Sequence, residues 1–159
     1  MKLTVGKGID DYVSSLEKLN LATEGQIKMA IYEGAKVVAE EIKKNVRALP
    51  VQDTWSEKVT GIKSIQKKGL EYGFGISKMK VEGGEVNTKL GFDGYNKLKT
   101  KKHPEGQPNA MIARTFESGN SFTKKIPFVA PAVRAKKAEA ERIMGETIDK
   151  EISKVVSTN

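Results

Sequence analysis

The chain has 159 residues, a length that suits one compact domain held together by burial alone. It contains no cysteine and a single histidine, His103, which excludes disulfide frameworks, thiol nucleophiles, thiolate metal sites and multi-histidine metal sites. The formal net charge is +8, and it is concentrated: between Gly94 and Lys137, ten Lys and Arg residues face only Glu105 and Glu117.

The first ten residues hold no apolar run long enough for a signal peptide. No stretch approaches the roughly 20 apolar residues of a membrane helix. The expectation is a chain made in the cytoplasm, with no membrane association. Ile9–Leu19 reads as a short helix, with Ile9, Leu16 and Leu19 on one side. The clearest helix follows at about Thr23–Leu49. Thr23 is its N-cap and Gln26 stands in capping-box position. Ile27, Ile31, Gly34 or Ala35, Val38, Ile42 and Val46 recur at three- and four-residue steps, the period of an amphipathic helix. Pro50 ends it, because proline disfavours helical geometry in the residue before it.

The middle of the chain changes period. Leu70, Tyr72, Phe74 and Ile76 alternate within Gly69–Ser77, which predicts a strand with one buried face. Val81, the Gly83–Gly84 turn, and the alternation of Val86, Thr88, Leu90 and Phe92 predict an antiparallel hairpin or meander, with further pairing near Ile62–Gln66. Residues 94–108 have loop composition and carry Lys97, Lys99, Lys101 and Lys102. Asn109–Ser118 predicts a short helix with Met111, Ile112 and Phe116 as its apolar side. Gly119–Lys125 reads as a polar loop. A last helix starts near Pro131, since proline is tolerated in the first turn. Ala140, Met144, Ile148, Ile152 and Val155 keep its period. The predicted fold is one α+β domain over 1–159: an antiparallel sheet packed by a long N-terminal and a long C-terminal helix.

Little in the sequence has the look of catalysis. An enzyme needs a convergent set of ionisable or nucleophilic groups. His103 stands alone beside Pro104, and no phosphate loop, dinucleotide fingerprint or nucleophile elbow is present. We expect no enzyme activity, no metal and no cofactor; a hydrolase built on carboxylates alone is the most distant reading. Nucleic-acid association is the stronger rival. The basic loop Lys97, Lys99, Lys101 and Lys102 has the charge to neutralise phosphates, although aromatic stacking residues are sparse around it. The most distinctive local sequence is Lys125-Ile-Pro-Phe-Val-Ala-Pro-Ala-Val133. Two prolines hold the backbone there while Phe128 and Val129 present apolar bulk, in keeping with either an ordinary core residue or an anchor at a subunit contact.

Three motifs in order carry a family resemblance. They are Thr60-Gly-Ile-Lys-Ser-Ile65 after Pro50, Arg114-Thr-Phe-Glu-Ser-Gly119, and Pro127-Phe-Val-Ala-Pro-Ala132. Together, from about Thr23 to the C-terminus, the chain resembles the tail-completion and head–tail joining proteins (minor tail components) of long-tailed phages and prophages. It departs from their pattern at Ile62, where leucine is usual, in the glutamate–glycine segment, and in a longer basic loop. The resemblance implies a structural protein at the head-proximal end of the tail. It implies a homo-oligomeric ring that meets tail-tube and head-connector proteins, with incidental DNA contact. Such a protein resides in the host cytoplasm during assembly and then in the virion. On this reading Pro127, Phe128, Val129, Pro131, Arg114 and Glu117 are candidate anchor or subunit-contact residues. Lys97, Lys99, Lys101 and Lys102 form a partner-binding loop.

Overall fold

The computed structural model describes residues 2–3 and 24–157, with side chains from 24 to 154. In chain order the elements are β1 (Lys2–Leu3), α1 (Glu24–Arg47), α2 (Ser64–Gly73), β2 (Phe74–Ile76), β3 (Lys80–Glu82), β4 (Glu85–Phe92), α3 (Asn109–Ser118) and α4 (Ala130–Ser157). The fold is α+β, a small antiparallel sheet packed by a long N-terminal helix and a long C-terminal helix. The expected helix at Ile9–Leu19 and the Thr23 cap lie outside the described residues. These residues group into two compact units.

The first unit takes residues 1–39, 76–90 and 136–159. Its core follows the helical period expected from the sequence: Ile31, Ala35 and Val38 of α1 and Ala140, Met144 and Ile148 of α4 are all buried. Gly34 lets these two helices approach closely, since a Cβ there would overlap the Met144 side chain and come within 3.0 Å of the Ala140 carbonyl. The hairpin is as expected. Lys80, Val81 and Glu82 pair with Asn87, Val86 and Glu85. The turn between them needs positive φ at Gly83 (59°) and Gly84 (81°), the combination glycine supplies most easily. On the other edge of β4, Lys2 and Leu3 pair with Lys89 and Thr88.

The second unit takes residues 40–75 and 91–135. Here one expectation fails. Gly69–Ser77 is not a strand: Ser64–Gly73 is α2, and only Phe74–Ile76 is extended. The two-residue alternation conceals a helical face. Gln66, Gly69 and Leu70 are buried while Tyr72 is 90% exposed, as a three- and four-residue period requires. Nor does Ile62–Gln66 join the sheet. Ile62 makes a single parallel bridge with Val51, and the chain then turns into α2.

Polar side chains fix that turn. The Gln52 side-chain oxygen accepts hydrogen bonds from Thr60 N (2.7 Å) and Gly61 N (3.1 Å). Asp53 accepts from Ser64 N (2.8 Å) and from the Ser64 hydroxyl, so it caps α2 from outside the helix. Gln66 reaches back to accept from Lys63 N at 3.2 Å, the N3-to-N-cap half of a capping box. Lys67 donates to the carbonyls of Arg47 (2.6 Å) and Leu49 (3.1 Å), placing a cation at the C-terminal end of α1, where the helix dipole favours it.

Candidate partner-binding surface

The sequence singled out two places in the second unit, and the structure treats them in opposite ways. Phe128 is 1% exposed. Its ring meets Phe92 edge-on at 5.8 Å, and Phe92 in turn lies 5.0 Å from Phe74. The Phe128 carbonyl accepts from the Asn45 side chain at 3.0 Å. The Glu117 carboxylate accepts three backbone hydrogen bonds, from Phe128 N (2.8 Å), Val129 N (2.9 Å) and Ala130 N (2.8 Å). A helix start leaves its first N–H groups without partners and carries partial positive charge. Glu117 therefore caps the 28-residue α4 from the end of α3. Pro131, with no N–H, leaves one donor fewer to satisfy. Val129 and Pro131 are half-buried, whereas Pro127 and Arg114 are exposed.

The basic loop is the second place. Lys97, Lys99, Lys101 and Lys102 are all exposed. The backbone beneath them is firmly held. Tyr95 bridges Pro108, Asn96 N donates to the Gln107 carbonyl at 2.9 Å, and Thr100 and His103 exchange backbone hydrogen bonds. A row of amides runs underneath, with Gln66 donating to Gln107 at 2.8 Å and the buried Asn96 accepting from Leu98 N at 2.8 Å. Gly106 adopts φ 114°, and any side chain there would collide with the Asn96 carbonyl.

Between this strap and α2 lies an open groove of about 920 Å³. Its floor exists because α2 turns glycine to the strap. A Cβ at Gly69 would stand 2.5 Å from Asn109 Oδ1 and 2.6 Å from Asn96 Cβ, and one at Gly73 would stand 2.5 Å from Asn109 Nδ2. Asn109 spends its amide nitrogen on the Asp93 carbonyl at 2.8 Å. Among the described residues its oxygen is buried without a hydrogen-bond partner, a cost of about 1–3 kcal/mol. Tyr72 and Tyr95 flank the groove at 90% and 68% exposure, and Lys68 and Lys97 line it. Among the described residues neither lysine has an ion-pair partner.

Two further aromatics stand out of this unit. Trp55, on the loop that Gln52 closes, is 85% exposed, and Phe122 is 71% exposed. Their loops are joined backbone to backbone: Val59 N donates to the Phe122 carbonyl and Lys124 N to the Val59 carbonyl, both at 2.8 Å. Sequence reasoning missed Tyr72 by assigning it to a strand, and it passed over Trp55 and Lys68. The three- and four-residue period of Gln66, Leu70 and Gly73 would have put Tyr72 on the open face. Trp55, inside a polar run, had no pattern to announce it.

No family model, curated protein or solved structure matches this chain. Among the described residues no group of three or more His, Asp or Glu is placed to hold a metal ion. No helix among them is long and apolar enough to cross a membrane. The surface offers exposed aromatics on a hydrogen-bonded backbone, beside lysines without ion-pair partners among the described residues; aromatic side chains are enriched at protein interfaces and lysines depleted there.

Proposed function

We propose that this chain is a non-catalytic assembly subunit of a phage or prophage virion, acting at the head-proximal end of the tail. It would complete the tail for capsid attachment, associate as a ring, and contact tail-tube and head-connector proteins, first in the host cytoplasm and then in the virion. The observation that carries an assembly role is the exposure of Trp55, Tyr72, Tyr95 and Phe122 on one small unit. Large aromatic side chains held by a firm backbone are the usual anchors of protein interfaces. The ordered motifs at Thr60–Ile65 and Pro127–Ala132 narrow that role to tail joining through the family resemblance. Residues of these two motifs take part in the α2 turn and the α4 cap.

Light scattering over a concentration series tests the ring. We expect a species of several subunits at high protein concentration. A strict monomer throughout, with and without tail proteins, contradicts the proposal.

A second reading is favoured by one observation, the exposure of Lys97, Lys99, Lys101 and Lys102 together. A basic nucleic-acid-associated protein would bind nonspecific duplex DNA with a steep salt dependence, lost when these four lysines are neutralised. Weak binding with a shallow slope leaves assembly as the reading.

A further inference from the structure

The first unit carries a feature that its own packing does not use. At the tip of the β3–β4 hairpin all of β3 and Glu85 of β4 are exposed; Val81 is 46% exposed and Val86 is half-buried. Its register places Glu82 directly opposite Glu85. Like charges facing each other across a strand pair destabilise it. Neither glutamate has an ion-pair partner among the described residues. The Gly83–Gly84 apex adds no side chain, so the tip presents two carboxylates on one face and two valines on the other. The groove of the second unit is its chemical converse, with Lys68 and Lys97 in its lining and Tyr72 and Tyr95 as apolar flanks.

We infer that the Val81–Val86 hairpin tip of one copy docks into the Tyr72–Tyr95 groove of another copy. The carboxylates of Glu82 and Glu85 meet Lys68 and Lys97, which relieves the repulsion within the hairpin. Val81 and Val86 cover the tyrosine rings. A groove of about 920 Å³ has room for these side chains. Asp93 also lines the groove, so two lysines stand there against one carboxylate and the charged lining stays net positive toward the hairpin's carboxylates. Tip and groove are different surfaces, so the contact is heterologous and repeats from copy to copy, closing into a ring when the rotation allows. This inference rests on the assembly reading above and names the contact by which copies join.

Charge reversal in the full chain tests it. Glu82→Lys/Glu85→Lys and, separately, Lys68→Glu/Lys97→Glu are each expected to weaken self-association about tenfold or more. Mixing the two variants is expected to restore it, because each tip then finds an oppositely charged groove. Glu82→Gln/Glu85→Gln, a gentler change, should weaken association less while melting at or slightly above the wild type, since the repulsion across the strands is gone; it stands in if the reversed hairpin variant fails to fold. Wild-type association in either reversed variant, or a mixture that stays apart, overturns the docking inference and leaves the ring reading standing. A wild-type chain that is monomeric at every concentration overturns both.

Discussion

The Phe128 corner and the tyrosine groove belong to the same unit; the sequence offered the first, and only the lysine loop beside the second, for partner contact, and the two spend their side chains differently. At the corner every notable group is used internally. The Phe128 ring is enclosed, its carbonyl accepts from Asn45, and Glu117 gives its carboxylate to three backbone donors. At the groove the backbone is also hydrogen-bonded, but Tyr72 and Tyr95 are exposed, and Lys68 and Lys97 have no ion-pair partner among the described residues. A distinctive local sequence can thus mark a place where the fold is made, while a plainer one leaves its aromatic rings in solvent. The lysines of the long helices sharpen the contrast. Lys28, Lys36, Lys43, Lys44, Lys136 and Lys154 each have a glutamate three or four residues away on the same helix, a pairing worth little individually but one that occupies the charge.

Mutations can break this comparison at either end. The largest effect should come from Phe128→Ala, which removes an enclosed ring and costs about 3–5 kcal/mol in denaturant unfolding. A loss under 1 kcal/mol would mean the corner is not interior. Next, Glu117→Ala strips the α4 cap and should cost about 2–3 kcal/mol, as charge-assisted cap bonds do; Glu117→Gln, which keeps one acceptor oxygen, should recover part of it. A smaller effect is expected at Asp53. Hydrogen bonds from the Ser64 hydroxyl and then the Ser64 N–H hold its carboxyl below the ordinary value of 3.8. A depressed carboxyl gives stability that is fully present above the ordinary value and is lost as pH falls through the lowered folded one. Unfolding measured across that acid range should lose this share in the wild type and lack it in Asp53→Asn. The smallest change in stability should be that of Tyr72→Ala/Tyr95→Ala, within about 0.5 kcal/mol of wild type, because both rings lie in solvent.

Much of the fold was legible where one period dominated. Ile31, Val38, Ile42 and Val46 stand on the buried face of α1, and Asn109–Ser118 is a helix with the expected bounds. The Gly83–Gly84 turn sits where two alternating runs meet. The middle was misread where two periods overlap: Leu70 and Phe74 are spaced for a strand and also for a helix. What settles the matter is a tertiary contact, the fit of Gly69 and Gly73 against Asn96 and Asn109, residues 23 and more positions away in the chain. The cap that Glu117 provides was equally out of sight, since it joins residues 11 to 13 positions apart through a fold that local patterns do not encode. The basic loop was read correctly as a loop and as charged. Its rigidity was hidden, because it depends on the amide row from Gln66 to Gln107.

On the assembly reading proposed above, the corner builds the fold and the groove serves assembly. The most direct measurement follows melting temperature and light-scattering mass together, over one concentration series, for wild type, Phe128→Ala and Tyr72→Ala/Tyr95→Ala. The tyrosine variant is expected to melt with the wild type but to stay at subunit mass where the wild type assembles, while the phenylalanine variant melts well below both. A tyrosine variant that assembles as fully as the wild type, or melts as low as the phenylalanine variant, would contradict that reading.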